Sequence, residues 1–72
     1  MSSGARLLAA NVIRLRTARG LNEAALARLL GVEPQAIVAI ETAASPEITL
    51  DQIDALTKAL GVAPLELFQP AQ

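Results

Sequence analysis

The 72-residue sequence has no cysteine, histidine, tryptophan or tyrosine, and a single phenylalanine. The lack of cysteine excludes thiol chemistry and disulfides. With histidine missing too, the commonest zinc ligands are gone, so no metal, no cofactor and no redox role is expected. No pair of acids flanks a nucleophile, so nothing assembles an acid–base or covalent site and an enzyme is not expected. No stretch approaches the roughly 20 consecutive apolar residues of a membrane span. The opening MSSGARLLAANVIRLR has no long apolar run ahead of a cleavage site. A soluble cytoplasmic protein without a membrane partner is the expectation. Excess basic charge is also missing. Six Lys and Arg against seven Asp and Glu give a net charge of −1 and a pI near 5.1, which is not the footprint of an autonomous nucleic-acid binder.

What is present is aliphatic. Hydrophobic residues make up 53% of the chain and aromatics 1%, so the core must be built from Leu, Ile, Val and Ala, a palette suited to closely packed helices. The length predicts one domain over residues 1–72, with a core of this size contributing about 3–5 kcal/mol of net stability.

Helical spacing appears at once. Leu8, Val12, Leu15 and Ala18 recur along one face between Ala5 and Arg19, and Gly20 ends the run. Asn22 stands as a cap for a second helix from Glu23 to Leu30, with Leu26, Ala27 and Leu30 inward and Gly31 as its stop. Glu33 occupies the next cap position and Pro34 the first turn, where its missing N–H costs nothing. This third helix runs to about Thr42 and buries Ile37 and Ile40. Ala43 to Ile48, interrupted by Ser45-Pro46, reads as a loop. Thr49 to Gln52 fits a capping box. Leu50, Ile53, Leu56, Thr57 and Leu60 trace one face of a fourth helix ending at Gly61. A short helix from Pro64 to Phe68 precedes a frayed tail, 69–72. No repeat, low-complexity linker or strand-like alternation is evident.

The segment LNEAALARLLGVEPQAIVAIE, residues 21–41, places small and apolar residues where two helices crossing steeply over a tight turn need them. Ala27 is small at the point of closest approach, Gly31 permits a positive φ, and Leu26, Leu30, Val32, Ile37 and Ile40 form an inner seam. A chance amphipathic hairpin is the plain alternative. With the flanking VIRLRTARGLN and ITLDQIDALTKALGVAPLELF, the chain resembles the phage-repressor (Cro/cI, or XRE-type) helix-turn-helix family over nearly its whole length. The resemblance implies an all-α, compact bundle of five short helices, with the motif at about 22–42 and helix three as the recognition element. It also implies a bridge from Arg16 in helix one to Glu41 ending helix three, where the alternative is two unrelated surface charges.

By the same resemblance, double-stranded promoter DNA is the expected partner, bound by a homodimer with modest affinity per half-site. Pro34, Gln35, Ala36, Val38, Ala39 and Thr42 then face the groove, with Gln35 the one side chain able to pair bidentately with adenine. Asn22, Arg14, Arg19 and Arg28 are candidates for the DNA backbone, although arginines on small helical domains commonly serve as solvated surface. Several positions depart from the family. Glu23 replaces a phosphate-contacting Gln, and Glu33 adds a second anion at the tip of helix three, although acids also suit a first helical turn for its dipole. Thr42-Ala43-Ala44-Ser45 stands where Gly followed by Lys or Arg is common. A second reading therefore stays open: the motif is a scaffold, and Pro34, Val38, Ala39, Ala43 and Ala44 form an apolar face for a protein partner. Leu65, Leu67 and Phe68 either close the core or contribute a dimer contact.

Overall fold

A computed structural model describes residues 3–44 and 49–70. Four α-helices, α1 (Ser3–Ala18), α2 (Glu23–Leu30), α3 (Pro34–Glu41) and α4 (Leu50–Leu60), are followed by a 3-10 turn, Pro64–Leu67. No strand occurs among the described residues, and no helix there is long and apolar enough to cross a membrane. The fifth helix expected from the sequence is thus a single tight turn. Two prolines within seven residues, Pro64 and Pro70, withdraw backbone donors from so short a segment.

The helix ends follow local chemistry. Asn22 accepts from the Ala25 N–H at 2.7 Å and caps α2. Thr49 and Gln52 satisfy each other's backbone N–H groups in a capping box at α4, at 3.1 and 3.2 Å. Glu33 holds the cap position of α3 in extended geometry, but its carboxylate makes no capping bond. Gly31 takes φ 71° between α2 and α3. In that left-handed state its N–H and that of Val32 bond back to Arg28 and Ala27, which turns the chain sharply enough for α3 to cross α2.

The core gathers Leu8, Val12, Leu15, Leu26, Ala27, Ile37, Ile40, Leu56, Leu60 and Leu67. Three apolar residues assigned inward do not belong to it: Ala18 is exposed, Val32 sits 38% exposed on the turn, and Leu50 is 83% exposed at the first position of α4. Each lies at an element's end, where the helical face has no neighbour to cover it. The elements pack in a ring: α1 against α3, α3 against α2, α2 against α4, α4 against the 3-10 turn, and the turn against α1. Of the loop expected at 43–48, residues 45–48 lie outside the described ones, as do 71 and 72 of the tail. Gln69, expected to be frayed, is instead tied down, since its carbonyl accepts from Asn11 at 2.7 Å.

Candidate nucleic-acid interface

Helix α3 is anchored from behind. Ile37 and Ile40 are buried, so the opposite side, offset by roughly half a turn of a 3.6-residue helix, must face solvent. That side carries Gln35, Val38 and Thr42, all exposed, with Ala39 half-buried among them. Their spacing of three, four and seven residues makes one continuous strip. Pro34 is exposed at its start, while Ala36 is half-buried on the flank.

The angle of α3 is fixed at its far end by Arg16. Its Nε donates to Glu41 Oε2 at 2.6 Å, Nη2 to Glu41 Oε1 at 3.2 Å, and Nη1 to the Leu21 carbonyl at 3.0 Å. The Glu41 side chain is 5% exposed and that of Arg16 16%, so one guanidinium ties α1, the entry to α2 and the end of α3. The Glu41 hydrogen bond holds Arg16 even more firmly charged than usual. Glu23 joins the same cluster. Hydrogen bonding to Glu41, then loss of water, then the Glu41 charge raise its carboxyl above the ordinary glutamate range, against the pull of Arg16. The Glu23 carboxyl thus feels the Arg16–Glu41 bridge while it also occupies the first turn of α2.

The expected backbone contacts divide. Arg14 and Arg16 are two residues apart and so lie about 200° apart around α1. While Arg16 reaches α3, Arg14 donates to Asn11 Oδ1 at 3.1 Å on the side of the 3-10 turn, which places it away from the exposed strip of α3. Arg19 donates to the Leu15 carbonyl at 3.4 Å, and its Nη2 lies 3.6 Å from where a side chain on Gly61 would begin. It is a cation at the C-terminal ends of α1 and α4, where the helix dipoles favour it. The guanidinium of Arg28, exposed on α2, makes no hydrogen bond or ion pair among the described residues. Asn22 spends its oxygen on the cap and keeps both amide hydrogens. Thr42 donates its hydroxyl to the Val38 carbonyl at 2.9 Å, so it presents lone pairs, not a proton, to an approaching anion.

Past Thr42 the backbone is strained. Ala43 adopts φ 57°, the one non-glycine residue in the left-handed region among those described. Its N–H bonds to Ile40 and that of Ala44 to Ala39, at 3.2 and 2.9 Å, a helix ending that favours glycine at the position Ala43 fills. Because a Cβ costs about 1–2 kcal/mol there and glycine's greater freedom in the unfolded chain offsets part of it, Ala43→Gly is expected to stabilise by about 0.5–1 kcal/mol. The midpoint of denaturant unfolding would show it, and an unchanged or lower midpoint would contradict the assigned strain.

At the other end of the molecule, Leu67 is fully buried, Phe68 half-buried and Leu65 69% exposed. Leu67 therefore closes this chain's own core and is withdrawn as a dimer contact, because a side chain without exposed surface has nothing to offer a second copy. Asn11, 1% exposed, was missed by the sequence reading. Its position three residues after Leu8 and four before Leu15 was the available signal, since that spacing puts it on the core face.

Two short helices crossing over a glycine turn, the second presenting an exposed strip, define a helix-turn-helix protein. A family model described as helix-turn-helix matches residues 12–67, and the chain belongs to that family, the XRE-type class its sequence resembles. A hypothetical transcription factor, NHTF, from Neisseria superposes with a TM-score of 0.89 at 32% identity over 96% of this chain and 78% of that one. The restriction-modification controller protein C.AhdI from Aeromonas hydrophila gives 0.85 at 30% identity, over 93% of this chain and 100% of the other. Hydroxypropylphosphonic acid epoxidase from S. wedmorenis gives 0.89 at 29% identity, but the chain spans only 38% of that enzyme. No curated protein sequence matches significantly.

Proposed function

We propose that this protein is a small DNA-binding transcriptional regulator that inserts α3 into the major groove. The observation carrying this reading is the exposed strip Gln35, Val38 and Thr42, displayed by a helix whose back is buried and whose end is pinned by Arg16. The family membership and the likeness to a transcription factor and a controller protein support it. In this reading Gln35 reads adenine, Val38 and Ala39 meet thymine methyls, and Arg28 with the free amide of Asn22 holds phosphates. Contact is thin for one chain, so a two-fold dimer engaging two half-sites through Leu65 and the open part of Phe68 is part of the proposal.

Binding to the DNA upstream of its own gene, followed across salt, tests it. Each neutralised phosphate adds about 0.9 to the slope of log affinity against log salt, so a shallow slope set by Arg28 and few other cations is expected. Gln35→Ala should remove about 1–3 kcal/mol of discrimination between operator and random duplex while leaving nonspecific binding in place. Absence of binding to either duplex at low salt would overturn the proposal. One observation favours a second reading: Pro34 and Val38 are exposed and apolar, and α3 carries no cation. If Val38→Asp abolished regulation in cells although the wild-type protein bound no DNA, that face would be a protein-docking surface.

A further inference from the structure

Asn11 is a polar side chain in an apolar position. Its Nδ2 donates to the Leu67 carbonyl at 2.9 Å and to the Gln69 carbonyl at 2.7 Å, while its Oδ1 accepts from Arg14 at 3.1 Å. Every strong hydrogen-bonding site of the amide except one lone pair is thus used, and both donors go to backbone carbonyls of the C-terminal segment.

The segment so held has little else to hold it. The backbone bonds from Glu66 to Ala63 and from Phe68 to Leu65 are internal to it. Among residues 63–70, Leu67 alone is buried, and Glu66 and Phe68 are half-buried. Yet this segment completes the ring of packed elements, because it lies against both α1 and α4. Removing it leaves α2 and α3 packed on each other, with α1 still on α3 and α4 still on α2, and opens the join between α1 and α4.

We propose that Asn11 is a latch on a strap, residues 64–70, that opens as one unit ahead of the helix-turn-helix and in opening uncovers an apolar slot between α1 and α4. The hinge is the stretch from Gly61 to Ala63, where Gly61 has φ 67° and the last anchoring backbone bond runs from Val62 to Thr57. The two latched carbonyls flank Phe68 and begin at Leu67, so undocking the leucine and breaking the amide bonds are one event. A strap of this kind belongs to the low-stability end of the molecule, where local opening is separable from global unfolding.

Native-state hydrogen exchange on the full chain tests it in two ways. In the wild type, the hydrogen-bonded amides of Glu66 and Phe68 should exchange through an opening that leaves Leu26–Leu30 and Ile37–Ile40 protected. Equal protection of both groups across denaturant would overturn the proposal. Asn11→Asp places a carboxylate against two carbonyl oxygens and removes both donors. It should speed strap exchange by about tenfold or more, since two hydrogen bonds are lost and one alone is worth about that factor, with little change in α2 and α3, and should raise binding of an apolar fluorescent dye. A uniform change in every amide, or strap exchange and dye binding like those of the wild type, would also overturn it. If Asn11→Asp does not fold, the wild-type measurement decides alone. None of these readouts depends on DNA binding.

Discussion

Arg16→Met is expected to destabilise the fold by about 3–5 kcal/mol at neutral pH, the range for stripping one partner from a buried ion pair. That is comparable to the whole stability expected of a core this small, so much of the variant should be unfolded. The reason is specific to this chain. The guanidinium binds Glu41 through two nitrogens and the Leu21 carbonyl through the third, and Glu23 stands beside Glu41 within the same cluster. Without the cation, two carboxylates face each other across α2 and α3. Glu41→Gln is the milder change, because Arg16 then retains Leu21 and has Glu23 at hand as a replacement anion. The asymmetry, Arg16→Met well below Glu41→Gln in stability, separates a shared cluster from an isolated pair, for which the two losses would be similar.

The pH dependence has a definite sign. A carboxyl whose folded-state pKa is raised binds its proton more tightly in the folded chain, so stability increases as pH falls through the raised value toward the ordinary glutamate range. Glu23 is such a group in the wild type. In Arg16→Met the repulsion on the Glu23 carboxylate is larger and its protonation relieves it. The variant should therefore recover stability on mild acidification, and Glu23→Gln in the same background should abolish most of that recovery. Denaturant midpoints measured from neutral pH down to the glutamate range decide this. A variant that only loses stability on acidification would show that Glu23 does not share the cluster.

Much of this was legible in the sequence because it rests on local chemistry. Asn22, Gly31, Pro34 and the Thr49–Gln52 pair specify where α2, α3 and α4 begin or end, and the structure has them in those roles. The inner seam followed from helical spacing except at Val32, which lies on the turn itself. Periodicity says which side of a helix is apolar but not where its neighbours stop, which is why spacing alone puts Ala18 and Leu50 inward. The electrostatics were less readable. Arg14, Arg19 and Arg28 are alike as letters, and only the packing of α1 against the 3-10 turn and of Arg19 beside Gly61 distinguishes two occupied side chains from one that is free. Likewise, Ala43 gave notice of a missing glycine, but its positive φ is a property of how α3 ends.

Leu67→Ala is expected to cost about 2–5 kcal/mol, whereas Leu65→Ala, two residues away, should change stability by less than about 0.5 kcal/mol. The two leucines have the same chemistry and share one turn, so only their surroundings differ. Leu67 is fully buried in the cluster with Leu8, Val12, Leu56 and Leu60, and Leu65 is 69% exposed. Truncating the first leaves a cavity where the strap joins α1 to α4. The neighbours cannot close it easily, because Asn11 fixes the backbone from Leu67 onward through the carbonyls of Leu67 and Gln69. Truncating the second removes surface already in water. If Leu65 is also the dimer contact, its variant should remain as stable as the wild type at concentrations where both are monomeric, yet lose the concentration dependence of its unfolding midpoint, since association stabilises only by mass action. Leu67→Ala should lower the midpoint at every concentration. Equal losses for the two variants in the monomer would mean that the 3-10 turn docks through its other face, and the assignment of Leu67 to the core would fall with it.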